Sequence, residues 1–280
     1  MMLQRLGAAV GRRRLLGALL AGALLVSAAV ASTSAAAASG TRPDKPTVVL
    51  VHGAFADASG WNDAVRRLQR QGYPVLAPAN PLRGVDSDAA YVASVLATIS
   101  GPIVLVGHSY GGFVITNAAT GNPNVKALVY VAAFAPDTGD TIGGLQTQFP
   151  GSKLSEAALD IRPYPLADGT TSYEGYVKAA RFRDIFAGDL PASTTRVMAA
   201  TQRPADVHTL GQPSGPPAWR TIPSWTLVAR NDNLIPADAQ RFMAERAGAR
   251  TVEVNASHVA MMSKPAATAE LIVKAATTAR

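Results

Sequence analysis

From Thr47 onward the chain repeatedly exchanges one hydrophobic rhythm for another. Short unbroken runs of β-branched and aliphatic residues give way to stretches whose apolar residues recur every three or four positions. The unbroken runs are Thr47 to Val51, Tyr73 to Ala77, Ile103 to Val106, Ala127 to Ala132, Ser224 to Ala229 and Thr251 to Val254. A strand that is apolar on both faces must be covered on both, so these runs predict a parallel sheet between layers of helices. Helices are expected over Trp61 to Gln71, Asp88 to Ile99, Gly111 to Ala119, Ala237 to Ala247 and Pro265 to Ala276, with Val92, Val95, Leu96 and Ile99 marking one apolar face. The order is βαβαβαβ, an interruption, then βαβα. It predicts an α/β fold, a mostly parallel sheet with helices on both faces.

The interruption, Pro136 to Ile222, breaks the alternation. It carries Gly143-Gly144, the aromatic residues Tyr164, Tyr173, Tyr176, Phe182 and Phe186, and the proline-rich run Gln212 to Pro217. A structureless loop of about 87 residues is rare in a compact domain, so this segment is expected to hold helices of its own, at Ser155 to Asp160, Tyr173 to Ala187 and Thr194 to Ala200. It reads as a helical cap, residues 136–222, inserted after the fourth strand. Whether its aromatic residues and Trp219-Arg220 line a pocket or pack the cap onto the sheet stays open here.

Residues 1–39 are of a different kind. Arg5 and the triplet Arg12-Arg13-Arg14 precede an almost wholly apolar stretch, Leu15 to Ala31, and small residues follow up to Ser39, with no acidic residue anywhere in the segment. These are the three regions of a cleavable secretory signal, and Arg12-Arg13 before Leu15-Leu16 also fits twin-arginine export. The apolar stretch, about 17 residues, is at the lower limit for spanning a bilayer, so no stable membrane anchor is expected after cleavage near residues 36 to 40. The protein is thus expected outside the cytoplasm, with residues 40–280 as one domain. Removing four arginines lowers the net charge from +7 to +3, which is no nucleic-acid footprint. Cysteine is absent, which excludes lipid attachment through an N-terminal cysteine and leaves stability to core burial.

The run Gly107-His108-Ser109-Tyr110-Gly111-Gly112 directly follows a predicted buried strand. Its G-x-S-x-G pattern suits a turn so sharp that the flanking positions tolerate only glycine, and it presents Ser109 as a nucleophile. The pattern alone is weak, so the positions of its partners decide. In a parallel sheet, functional groups gather on loops at the carboxyl ends of strands. His258, just past the last strand, is the predicted base. His52, after the first strand, is read as fixing its own loop; His108 is turned away from Ser109 by adjacency, and His208 belongs to the cap. For the acid, Asp232 after the fifth strand is preferred, with Asp238 and Asp137 as fallbacks. The order Ser109, Asp232, His258 suits a hydroxyl activated by a base that an acid orients. An oxyanion would be held by the backbone N–H of Tyr110 and one from the His52-Gly53-Ala54-Phe55 loop, Ala54 being favoured over Phe55.

On these residues the chain resembles the α/β-hydrolase superfamily over nearly all of 47–276, and within it the small esterases grouped with plant methylesterases and hydroxynitrile lyases. The resemblance implies a Ser-His-Asp acyl-transfer mechanism on small to medium carboxylic esters, with no cofactor, and it supports Ala54 as the oxyanion donor; no metal site is assigned. The nucleophile is not the aspartate of haloalkane dehalogenases or epoxide hydrolases. Gly53 and Val259 stand where the similar (S)-selective lyases carry threonine and lysine, which disfavours cyanohydrin cleavage. Perhydrolase or amidase activity would use the same triad, and a non-catalytic ligand-binding protein would use the same fold. Oligomeric state leaves no mark in the sequence.

Overall fold

The computed structural model describes residues 45–278. The expected signal segment, residues 1–39, lies outside them. Six strands form one parallel sheet in the order β2-β1-β3-β4-β8-β9: β1 (Thr47–Val51), β2 (Val75–Leu76), β3 (Ile103–Ser109), β4 (Val125–Ala133), β8 (Ser224–Ala229) and β9 (Arg250–Val254). The central strands are the unbroken apolar runs, and every residue of β3 and β8 is buried. Helix α1 (Asn62–Arg70) packs on α8 (Ala260–Ser263) and α9 (Pro265–Thr278), while α2 (Val85–Ala97) packs on α3 (Gly111–Ala118). In α1, Ala64 and Leu68 lie four apart and turn inward, leaving Arg66 and Arg70 outside.

The strand order fixes where a ligand can approach. From β1 the chain steps to β2 on one side, then returns across to β3 and continues outward through β4, β8 and β9. At such a reversal the loops leaving the two strands diverge and open a crevice above their carboxyl ends. Val51 pairs with Gly107, so the loops after β1 and β3 begin side by side.

The interruption lies between β4 and β8, as expected, but it is not simply helical. It does contain α4 (Ile142–Gln148), α5 (Ala179–Phe186) and α6 (Ala192–Thr201); α6 covers the expected helix at Thr194 to Ala200. The expected helix at Ser155 to Asp160 is instead one 3-10 turn, Glu156–Ala158, entering β5 (Leu159–Pro165). The expected helix at Tyr173 to Ala187 is split: its first part is β6 (Thr171–Val177) and only its second part is α5. Strands β5, β6 and the short β7 (Ala205–Asp206) form an antiparallel sheet. The reason is local. Asp168-Gly169, with Gly169 at φ +84°, turns β5 into β6, and Tyr173 and Gly175, two apart on one face of β6, both line the cavity described below. The cluster of tyrosines had masked this strand spacing.

Candidate active site

Ser109 ends β3 with φ +54°, in the left-handed region that costs a non-glycine residue about 1–3 kcal/mol unless its surroundings impose it. Two glycines show what imposes it. A Cβ on Gly112 would meet the Phe134 carbonyl oxygen at 2.0 Å, and one on Gly53 would meet the Ser109 Cβ at 2.6 Å. The elbow is therefore clamped between the loop after β1 and the end of β4. Ser109 is 3% exposed and lines an apolar cavity in the crevice.

Asp232 and His258 meet as expected from their strand ends. His258 Nδ1 donates to Asp232 Oδ2 at 2.7 Å, with both side chains fully buried. The carboxylate is itself held by four donors: Oδ1 accepts the N–H groups of Leu234 and Ile235 at 2.8 and 2.9 Å, and Oδ2 also accepts Gln240 Nε2 at 2.8 Å. Such a set lets it orient an imidazole without shifting. With Nδ1 donating, the lone pair of the neutral ring is on Nε2. That atom is buried and has no hydrogen-bond partner among the described residues; Ser109 Oγ and His258 Nε2 are not bonded to each other. Buried polar atoms left single cost about 1–3 kcal/mol, so this one marks a place for a proton in transit.

His52 and His108 are buried struts held toward the neutral form. His52 Nε2 accepts the Asn80 N–H at 3.0 Å and Nδ1 donates to the Gly53 carbonyl at 2.9 Å, while Asn80 Nδ2 returns a bond to the His52 carbonyl. Burial holds its pKa down. His108 lies parallel in role: burial, then the neighbouring His258, push its pKa well below the ordinary value, and its Nε2 donates to the His258 carbonyl at 2.9 Å. The expectation that His108 turns away from Ser109 holds, and its destination is the backbone of His258. His208 hydrogen-bonds Asp206 at 2.8 Å in the cap.

The two fallback acids are occupied elsewhere. Asp238 is exposed and pairs with Arg241 in the first turn of α7 (Ala237–Arg246); Asp137 pairs with Arg220. Between Ala54 and Phe55 the backbone also decides. Phe55 donates its N–H to the Arg203 carbonyl at 2.9 Å, whereas neither Ala54 nor Tyr110 donates to a carbonyl of the described residues outside regular elements. Both border the cavity beside Ser109. The Tyr110 ring is anchored below the elbow by its hydroxyl, which donates to the buried Asp88 at 2.8 Å; burial raises the pKa of both groups.

The cavity encloses about 490 Å³. Ala54, Ser109 and Tyr110 border it from the sheet; Ile161, Tyr173 and Leu210 border it from the cap. Those three cap residues remain 40–48% exposed, an unusual allocation of large apolar surface that a ligand would cover. Its charged lining residues are Glu156 and Asp206, with no lysine or arginine. Of the five aromatic residues noted in the cap sequence, Tyr173 alone lines the cavity. Trp219 instead donates to the Pro136 carbonyl at 2.7 Å and Arg220 holds Asp137, so this pair fastens the root of the cap.

Gln240, Asn80, Asp88 and Asp189 went unread in the sequence. Asn80, Asp88 and Asp189 each act on a residue distant along the chain and Gln240 on one eight positions back, and no local pattern announces either.

The model of the alpha/beta hydrolase family matches residues 48–271. Among proteins of known name, a pyrethroid hydrolase of Sphingobium wenxiniae is 28% identical over 80% of this chain and 85% of its own length. Methylesterase 2 of Arabidopsis thaliana is 24% identical over 79% of this chain and 92% of its own. Among solved structures, polyneuridine aldehyde esterase superposes with a TM-score of 0.71 at 17% identity, covering 82% of this chain and 99% of that one, a likeness of fold.

Proposed function

The chain belongs to the alpha/beta hydrolase family, and from that premise we propose that it is an exported serine esterase that cleaves neutral, largely apolar carboxylic esters through an acyl-enzyme on Ser109. The relatives named as hydrolases and esterases support ester cleavage as the activity. The observation that carries the mechanism is the imidazole of His258, fixed through Nδ1 on a fully bonded Asp232 with its buried Nε2 left single beside the strained elbow.

In this mechanism His258 Nε2 removes the Ser109 proton as Oγ attacks the ester carbonyl. Asp232 holds the ring in the tautomer that can do so and stabilises the imidazolium. The carbonyl oxygen, now negative, is received by the N–H groups of Ala54 and Tyr110, a contribution of about 2.7–4 kcal/mol per donor in comparable sites. His258 returns the proton to the leaving alkoxide, and the alcohol departs. Water then attacks the acyl-enzyme by the same proton path and releases the acid.

The cavity narrows the substrate. Its apolar cap residues favour uncharged acyl and alcohol groups, and Glu156 and Asp206 disfavour a second carboxylate. They also favour departure of the carboxylate product. Export rests on residues 1–39: N-terminal sequencing of protein recovered outside the cytoplasm should begin near residues 36 to 40.

The test is turnover of a series of uncharged p-nitrophenyl esters, with a fluorophosphonate probe followed by peptide mapping. The expected result is turnover, and labelling at Ser109 that disappears in Ser109→Ala. No turnover, or equal labelling of wild type and Ser109→Ala, overturns the mechanism.

A further inference from the structure

The end of α5 reaches the neighbourhood of His258 from the cap side. Asp189 Oδ2 accepts the Ser257 N–H at 2.9 Å, and Oδ1 accepts the Ser257 hydroxyl. Ser257 is buried and directly precedes His258. Phe186, fully buried, sets its ring against the imidazole of His258, with centroids 5.1 Å apart and planes at 64°. The same ring meets His108 at 6.3 Å and Phe55 at 6.4 Å. Half a turn earlier, the Asp184 carbonyl accepts Asn233 Nδ2 at 2.8 Å, next to Asp232. One short helix end therefore touches the loop of the acid, the loop of the base and the loop of the oxyanion donor.

We propose that residues 186–189 are a positioning element for His258: Asp189 fixes the residue before it by two hydrogen bonds, and Phe186 limits the tilt of its ring, so that the cap holds the imidazole between Asp232 and Ser109. The loop needs such a hold. After β9 ends at Val254, the backbone bonds of Ala256 and the His108 bond to the His258 carbonyl leave the Ser257 N–H and hydroxyl to be met from outside the sheet, and Asp189 meets both. Burial raises the Asp189 pKa, and hydrogen bonds led by the two from Ser257 more than offset it, which favours the ionised carboxylate as acceptor.

The consequence for rate rests on the esterase reading; the orientation of the ring does not. Misplacing a catalytic group by about 1 Å costs on the order of 100-fold in rate, and it does so in kcat rather than in binding. Asp189→Ala is expected to lower kcat for a neutral ester by about 10- to 100-fold with KM within about twofold of wild type. Asp189→Asn keeps an oxygen for the Ser257 N–H and should stay within about fivefold of wild-type kcat. Thermal melts establish that each variant is folded. If Asp189→Ala is not, Ser257→Ala, which removes only the hydroxyl bond, takes its place with an expected fall in kcat of about threefold or more.

A second readout needs no turnover. The His258 Nδ1 proton, bonded to a carboxylate, should give a far-downfield proton resonance in wild type, and this should broaden or vanish in Asp189→Ala or its replacement. If wild type does not hydrolyse esters, the mechanism above falls and this resonance still decides the positioning role. Wild-type kcat in folded variants, a change confined to KM, or an unaltered resonance overturns the proposal.

Discussion

Strands β3 and β5 are each seven residues long; all seven residues of β3 are buried, and none of β5 is. The difference separates two ways of building. The sheet is held by continuous apolar runs paired in parallel, where each residue has the same alternatives and the same best answer. The helical part of the cap buries Phe182, Ile185 and Phe186, but its small sheet is held by individual polar contacts: Asp206 alone gathers Tyr164, Ser172 and His208, and Arg83 crosses from before α2 to Glu174 at 2.6 Å. The sheet therefore offers fixed strand ends for chemistry, and the cap offers apolar surface that is free to face a ligand. Substitutions at the sheet edge, and at Asp189 that grips it, should act on kcat, and substitutions of the cap residues that line the cavity should act on KM and on the choice of ester.

The largest effect is expected from Ser109→Ala, a loss of about 10⁴-fold or more in kcat/KM with little change in melting temperature. Asp232→Asn should cost about 10³- to 10⁴-fold, because an amide beside Nδ1 no longer holds the tautomer that leaves the lone pair on Nε2. Steady-state kinetics at saturating ester checks both, and an Asp232→Asn enzyme within tenfold of wild type would separate acid from base. Gly112→Ala tests the clamp on the elbow. Its Cβ cannot coexist with the Phe134 carbonyl at 2.0 Å, and a loss of more than about 3 kcal/mol in denaturant melts is expected, large enough to prevent accumulation of folded protein. A wild-type melt would show that the end of β4 can yield.

In the cap the expected effects are smaller and of another kind. Leu210→Ala or Tyr173→Ala removes apolar surface from the cavity, and each should raise KM for a bulky ester by about 3- to 10-fold, roughly 1 kcal/mol, with kcat held within about twofold. If kcat falls instead, cap and sheet edge are not separable at those residues. The smallest effect is on stability against pH. His52 and His108 are both held neutral, so their folded pKa values lie below the ordinary histidine value of 6.5. The unfolded chain then binds more protons as pH falls below 6.5, and the stability present above that value is progressively lost. Melting temperature should fall by a few degrees between about pH 7 and pH 5, and less in His52→Asn, where Asn has no proton to gain. A flat profile would mean that neither histidine changes its proton affinity on folding.

The same contrast divides what was legible beforehand. The bounds of β1 and β8 follow from their apolar runs alone, and β3 and β4 extend theirs by a few residues, because burial on both faces leaves a mark on every position. Ser109, Asp232 and His258 were readable for a related reason: loops at carboxyl strand ends converge wherever the strands are parallel, so order along the chain is a guide to proximity. In the cap, β6 departs from the expected helix, since its buried residues, Ser172 on one face and Gly175 and Val177 on the other, follow no clean alternation, and the turn at Asp168-Gly169 is the cue to the hairpin.

By itself, then, the sequence determined the parallel sheet, the strained serine elbow and the two side chains expected to serve it, since each depends on residues adjacent in the chain or on strand order. Tertiary structure alone decided which backbone N–H beside Ser109 stays free, that Gln240 steadies Asp232, that Trp219 fastens the cap rather than lining the cavity, and that Asp189 grips the residue before His258. Apart from Gln240, eight residues from Asp232, these depend on hydrogen bonds between segments far apart in the chain, where a single polar side chain has many partners within reach and only the packed fold selects one.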